Sequence, residues 1–145
     1  MHKAPHKTAP IMAGFGMTEH VSVDILLDVF AATVKLAGLA PSAVTGLATL
    51  ERHAELPACQ HAAARLGLPI HPVAQEDLPS VDARVITRSE RIIRRFSTGS
   101  VAEAAALLTA GAQARIIVPR QRAKTERCSA TCALAAVPVQ EEPQP

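Results

Sequence analysis

Arginine is concentrated in one part of this sequence, where it could bind anions. Residues 84–127 include ten basic and three acidic side chains, whereas the rest of the chain carries five basic and ten acidic ones. Nine of the ten cations are arginines, whose planar guanidinium groups pair with carboxylates or phosphates through two parallel hydrogen bonds. The segment is open to three interpretations: a solvated helix face, a site for a multi-carboxylate or phosphate ligand, or a nucleic-acid surface.

Four of these arginines are spaced as they would be on one face of a helix. Side chains three or four residues apart are neighbours on a helical surface. Separations of four, three and four residues join Arg84, Arg88, Arg91 and Arg95. The spacing therefore predicts an arginine stripe along a helix.

The stretch "FSTGSVAEAAALLTAG", residues 96–111, predicts a turn followed by a capped helix. Ser100 and Glu103 fit the S-x-x-E capping box, in which the serine accepts a hydrogen bond from the third helical amide and the glutamate bonds back to the cap amide. The sequence "TRSE", residues 87–90, is a second match. Capping explains both motifs as local structure.

The turn before this helix is also a place where an anion could bind. Free amides and positive potential at a helix start stabilise carboxylates and phosphates. Gly99 and Ser100 begin the predicted helix, and Arg88 and Arg120 belong to the same basic segment. These four residues are therefore candidate ligand-binding residues.

A second glycine-rich turn, "GFG" at residues 14–16, follows an apolar run typical of a buried strand. It lacks the third glycine of the dinucleotide-binding fingerprint, so that function is disfavoured. Backbone without bulky side chains at the carboxyl end of a strand still lets a ligand approach closely. We therefore expect Gly14, Phe15 and Gly16 to form the floor of a ligand cleft.

The other reactive side chains have no spacing that assigns them a chemistry. The six histidines and three cysteines include no pair at convincing metal-ligand spacing, and His53 and His61 are eight residues apart. The G-x-S-x-G turn of serine hydrolases is absent. Cys59 lies in a helix-like run, where a core thiol is the expected role. We expect no metal and no cofactor.

Helices and strands are predicted to alternate along the chain. Gly38, Gly67 and Gly111 each follow a helix-like run, as helix-ending glycines do, and apolar segments with prolines come after them. Ser22 predicts the cap of a helix from about residue 23 to residue 37. This alternation predicts an α/β domain over residues 11–137, with a flexible leader (residues 1–10) and a disordered tail (residues 138–145).

Composition limits the class of protein. A chain of 145 residues suggests one domain, and its core must be aliphatic because it has no Trp, no Tyr and three Phe. The scarcity of aromatic residues argues against nucleic-acid binding, and no apolar run is long enough to span a membrane. Three cysteines without a secretory signal favour reduced thiols and a cytoplasmic location.

Several of these segments together resemble a known family. They are "GFG", "LATLERHAE", "RLGLPIHPVAQEDL", "GSVAEAAALLTAGAQARIIVPRQR" and "SATCALA". The chain resembles, over roughly residues 11–136, the CobE family of aerobic cobalamin biosynthesis, which is similar to the C-terminal domain of CbiG. Arg52 and Glu55 fall where that family usually has Lys and Glu. The chain departs from the family's Cys-Arg and later Gly after "GxG", where it has Met17, Thr18 and His20.

The resemblance implies a fold and a function. The implied fold is a single domain, a three-layer α/β/α sandwich around one mixed sheet. The implied function is binding of a multi-carboxylate precorrin or corrinoid intermediate, as carrier or chaperone, without independent catalytic activity. The expected ligand-binding residues are Gly14, Phe15, Gly16, Arg52, Arg88, Gly99, Ser100 and Arg120.

Two alternatives stay open beside this function. In the first, the protein is an enzyme acting on a precorrin by lactone hydrolysis or isomerisation, with His20, Ser22, Arg52 or Glu55 as its acids and bases. In the second, it is a scaffold for other cobalamin-pathway enzymes, and an exposed apolar patch would support that role.

Overall fold

A computed structural model describes residues 10–138 and places five strands in one mixed sheet of order β3-β2-β1-β5-β4. The strands are β1 (Ile11–Met17), β2 (Gly46–Leu50), β3 (Ile70–Val73), β4 (Arg115–Lys124) and β5 (Ser129–Ala136). The helices are α1 (Val23–Leu36), α2 (Glu51–Ala54), α3 (Pro57–Leu66), α4 (Glu90–Phe96) and α5 (Val101–Ala110). Two 3₁₀ segments, Pro41–Ala43 and Gln75–Arg84, complete the described elements.

The strand directions place the carboxyl ends of most strands at one edge of the sheet, where a site could form. β1 is parallel to β2, and β2 is parallel to β3. β5 runs antiparallel to both β1 and β4. The carboxyl ends of β1, β2, β3 and β4 therefore meet at the same edge, together with the amino end of β5.

Helices cover both faces of the sheet, which confirms the predicted three-layer architecture. One core cluster joins α1 and α3 to one side of the sheet, with Phe15 and Phe30 stacked at a centroid distance of 6.4 Å. The other cluster joins α5 to the opposite side. Alternate residues of β1 serve the two layers, since Ala13 belongs to the first cluster and Met12 to the second.

The helix α5 lies very close to β1, and this contact explains the first glycine of "GFG". A Cβ atom built on Gly14 would collide with the carbonyl oxygen of Ala102 and come within 2.7 Å of the amide nitrogen of Ala106. The alanine-rich sequence of α5 permits the approach, because small side chains let helix and sheet backbones come together. Gly14 is therefore a packing residue.

Most predicted helix boundaries are confirmed. Ser22 caps α1 and accepts a hydrogen bond from the Ile25 amide at 3.3 Å. Gly38, Gly67 and Gly111 have positive φ values of 67°, 69° and 118° where helices end. The leader and the tail predicted from the sequence lie, apart from residues 10 and 138, outside the described residues.

The predicted arginine stripe is wrong. Arg84 ends the 3₁₀ segment, Arg88 lies in the connection that follows, and α4 begins only at Glu90. Arg91 and Arg95 alone share a helix. The helix starts late because Ser89, and not the Thr87 of the predicted second capping box, is the residue that caps it.

Two observations concern the function classes that the sequence disfavoured. Among residues 10–138, no helix combines the length and the apolar sequence needed to cross a membrane. Within the same residues, no group of three or more His, Cys, Asp or Glu side chains is arranged to hold a metal ion. The three cysteines carry free thiols.

Candidate functional site

A cleft of about 560 Å³ lies at the edge where the parallel strands end. It sits where the chain order reverses, because β1 has β2 on one side and β5 on the other. Ligands of open α/β sheets bind at such positions. The residues that line the cleft come from six parts of the chain: the end of β1 and the loop after it, α2, α4 with its cap, the start of α5, β4 and β5.

Five arginines line this cleft. Arg52 follows β2 directly, at the start of α2, and Arg91 and Arg95 are one turn apart on α4. Arg120 and Arg122 come from the edge strand β4. Glu19 is the one carboxylate among the lining residues. The cleft is therefore strongly cationic, and we refer to it as the arginine cleft.

The cleft arginines have no carboxylate partner among residues 10–138. The one salt bridge within residues 10–138 joins Arg88 to Asp82, and neither of these residues lines the cleft. Burial lowers the pKa of Arg120 from its ordinary value, and the nearby charge of Arg122 lowers it further. A bound anion would offset both effects by placing negative charge beside these guanidinium groups.

Phe96 holds two of the arginines against one aromatic surface. The guanidinium carbons of Arg52 and Arg95 lie 5.6 Å and 5.1 Å from its ring centroid, within the range of cation–π attraction. Phe96 is buried at the end of α4. The ring thus couples α2 to α4 and restricts where two of the cleft cations can point.

Glu103 fixes the backbone beneath the cleft. Its side chain is fully buried, and Oε1 accepts hydrogen bonds from the amides of Ile86 and Thr87 at 2.7 Å and 3.1 Å. Oε2 accepts from the Arg120 amide at 2.9 Å. The predicted capping box is therefore half correct: Ser100 accepts from the Glu103 amide at 3.2 Å, but the Glu103 carboxylate serves other segments instead of the cap.

The turn before α5 already contains a carboxylate of the chain itself. Asp82 Oδ1 accepts hydrogen bonds from Arg88, from the Thr98 hydroxyl and from the Gly99 amide, at 2.8, 2.8 and 2.9 Å. The Arg88 hydrogen bond is the main cause that lowers the pKa of Asp82 to about 2, and the bonds from Gly99 and Thr98 add to it. The predicted anion position is thus occupied by Asp82.

His53 is the least expected residue in the lining. It is only 7% exposed, and its Nδ1 is buried without a hydrogen-bond partner in the part of the chain that the structure describes. Burial, followed by the charge of Arg52, lowers its pKa to about 4; Glu19 opposes this shift, and Arg95 adds a smaller lowering effect. The imidazole is therefore neutral at pH 7.

The structure brings three of the eight predicted ligand-binding residues to the cleft: Gly16, Arg52 and Arg120. The other five lie outside its lining. Gly14 packs against α5, Phe15 belongs to the core, and the remaining three, Arg88, Gly99 and Ser100, form the turn around Asp82 and the cap of α5. The expected glycine-rich floor is therefore reduced to Gly16, whose amide donates to the Thr131 hydroxyl at 3.1 Å.

The residues proposed for an enzymatic alternative are not gathered together. His20 and Arg52 line the cleft, whereas Ser22 caps α1 and Glu55 ends α2 outside the lining. Four lining residues were not predicted as ligand residues: Arg91, Arg95, Arg122 and His53. The first three carried a signal, as members of the basic segment, but nothing in the sequence marked His53 as buried.

Comparison with known proteins identifies the family. Residues 11–135 match the family model described as "Cobalamin synthesis G C-terminus". The crystal structure of cobalamin biosynthesis protein chiG from Agrobacterium tumefaciens is 30% identical over 88% of this chain and 98% of its own, with a TM-score of 0.65. A comparison with curated proteins finds no match.

Two further solved structures share the fold. CobE, a protein from the cobalamin (vitamin B12) biosynthetic pathway, is 24% identical over 96% of this chain and 97% of its own, with a TM-score of 0.80. A homologue of cobalamin biosynthesis protein G from Sulfolobus solfataricus is 17% identical, with a TM-score of 0.68. That match covers 90% of this chain but 37% of the longer protein. The chain belongs to the family of the cobalamin synthesis G C-terminus, a family of cobalamin-biosynthesis proteins.

Proposed function

We propose that this chain binds a multi-carboxylate precorrin or corrinoid intermediate in the arginine cleft and acts as its carrier or chaperone. The observation that carries the proposal is the set of five cleft arginines that have no salt-bridge partner among the described residues. Such a set suits an anion with several separated carboxylates, because one carboxylate pairs with one guanidinium fork. The family supplies the pathway in which such intermediates occur.

The chemistry of the cleft suits a ligand that is both apolar and polyanionic. Apolar groups of Ile92, Phe96 and Val101 line it beside the arginines. A tetrapyrrole-derived ring carries carboxylates around a large apolar framework. The framework would contact the apolar groups of the cleft, and the carboxylates would contact the arginines. The arginines stand on α2, α4 and β4, so they approach the cleft from different elements and can contact separate carboxylates.

The side chains of the cleft favour ligand binding over nucleophilic catalysis. The cleft contains no serine or cysteine hydrogen-bonded to a histidine among the described residues, which a nucleophilic mechanism would need. The arginines bind charge but do not exchange protons near neutral pH.

Location in the cytoplasm and contacts with other pathway enzymes remain predictions.

The proposal is tested by mixing the purified protein with early, middle and late precorrin intermediates without oxygen, and separating the mixture by size. We expect one stage of intermediate to co-elute with the protein and to be recovered with its mass and its visible absorption spectrum unchanged. An altered mass or an altered spectrum of the recovered pigment would establish turnover and overturn the carrier function. Absence of co-elution with every intermediate would contradict ligand binding itself. The Arg88→Ala variant is the control, because Arg88 lies outside the cleft lining.

A further inference from the structure

His53 has an unusual position for a titratable side chain. It follows β2 on the short helix α2, next to Arg52, and it borders the arginine cleft. Its residual exposure of 7% leaves the ring almost wholly within the protein. Nδ1 has no hydrogen-bond partner among the described residues, and a buried polar atom without a partner destabilises the folded protein. An unsatisfied atom of this kind calls for an explanation.

Burial is the main reason why the ring stays unprotonated, and the charges around it modify this effect. Arg52 on its own helix and Arg95 on α4 both oppose a positive charge, while Glu19 in the loop after β1 favours one. Helix α2 also packs against β2, β3 and α3. β2 has no titratable side chain, and those of the other two elements are His71, Cys59, His61 and Arg65.

A bound polycarboxylate would shift the protonation equilibrium of His53 toward the charged form. Carboxylates paired with Arg52 and Arg95 would cancel the two charges that oppose protonation and add negative charge beside the imidazole. Rotation about the broad terminal torsion of the histidine can turn Nδ1 toward such a ligand. The orphaned nitrogen would then acquire a hydrogen-bond acceptor.

We propose that His53 is a ligand-contact residue of the arginine cleft, which takes up a proton when a polycarboxylate binds and donates a hydrogen bond to it. The inference rests on the proposed function, because it needs an anionic ligand in the cleft. It adds a residue that the charge pattern of the sequence does not reveal. It also makes ligand binding depend on pH, with capture favoured in mildly acidic and release in alkaline solution.

The test uses uroporphyrin, an octacarboxylate tetrapyrrole, as the probe, with its fluorescence followed between pH 7.5 and 5.5. Wild-type affinity is expected to increase as the pH falls, with a limit of about tenfold per pH unit for one proton taken up. The His53→Gln variant is expected to show a flat profile. The His61→Gln variant is the matched control, since His61 is an exposed histidine of α3 that does not line the cleft, and it should keep the wild-type profile.

A second measurement does not depend on a variant that folds. In the wild-type protein, the imidazole resonances of His53 are titrated by NMR with and without saturating uroporphyrin. We expect the midpoint to move upward from about 4 when the probe is bound. Binding with an unmoved midpoint, or a pH dependence that survives in His53→Gln, would overturn the role of His53 alone. Failure of uroporphyrin to bind at any pH would overturn the proposed function as well.

Discussion

Glu103 and Arg120 are joined by a hydrogen bond of 2.9 Å from the Arg120 amide to the buried Oε2 of Glu103, across 17 residues of sequence. The same carboxylate holds Ile86 and Thr87 through its other oxygen. A single side chain on α5 thereby ties the strand that carries two cleft arginines to the segment that leads into α4. The position of cleft cations thus depends on a residue that no ligand could touch.

Substitution of Glu103 should loosen this connection. In Glu103→Gln, the side-chain NH₂ group must face at least one of the three backbone amides, and that donor loses its acceptor. We expect the free energy of unfolding to fall by about 1–3 kcal/mol, measured by urea denaturation. Glu126→Gln, an exposed change in the turn before β5, is the control and should have little effect. Equal stability of the two variants would show that the buried carboxylate is not required.

Gly14→Ala should disrupt the contact between β1 and α5. The added methyl group meets the backbone of Ala102 and Ala106, which cannot move as a side chain would. We expect a loss of about 2–3 kcal/mol in unfolding free energy. Gly38→Ala is a useful comparison, because it meets no atom within 4 Å and adds only the cost of a positive φ, about 1–2 kcal/mol. A Gly14→Ala protein as stable as Gly38→Ala would contradict the close packing described here.

The hydrogen bonds to Asp82 should make the free energy of unfolding fall in strong acid. The pKa of Asp82 is about 2 in the folded protein and 3.8 in its ordinary state, so the unfolded chain takes up the proton first. The contribution of ionised Asp82 to the free energy of unfolding is therefore complete above about pH 4 and is lost as the pH falls toward 2. Asp82→Asn should unfold at a lower temperature than wild type at pH 7, and the difference should shrink toward pH 2. A difference independent of pH would show that the charge of Asp82 is unimportant.

His53 should also make the free energy of unfolding decrease as the pH falls, but over a higher pH range than Asp82. Its folded pKa of about 4 lies below the ordinary 6.5, so between these values the unfolded chain binds a proton that the folded protein excludes. The free energy of unfolding should therefore decrease as the pH falls from 6.5 to 4, by up to about 3 kcal/mol from this residue. Urea denaturation of wild type and His53→Gln at several pH values isolates this contribution. Parallel curves for the two proteins would mean that His53 is not kept neutral by the fold.

The sequence predicted local structure well because helix ends and strands depend on neighbouring residues. Ser22, Gly38 and Gly67 were recognised from patterns that act within a few positions. The resemblance to the cobalamin-biosynthesis family was likewise carried by contiguous segments, and it is confirmed.

The site was predicted less well because its geometry depends on contacts between distant segments. Arg88 and Gly99 looked like anion ligands, but Asp82 reaches both of them from a 3₁₀ segment whose position the sequence does not reveal. The spacing of Arg91 and Arg95 was correct for a shared helix face, yet only the fold shows that this face borders the cleft.

The most direct test of the account compares uroporphyrin binding by wild type, by the double variant Arg91→Ala/Arg95→Ala, and by Arg94→Ala. All three arginines lie on α4, but Arg94 does not line the cleft. We expect the double variant to bind at least about tenfold more weakly and with a smaller dependence on salt, whereas Arg94→Ala keeps the wild-type affinity. Equal affinity of wild type and the double variant would contradict the claim that the arginine cleft is the ligand site.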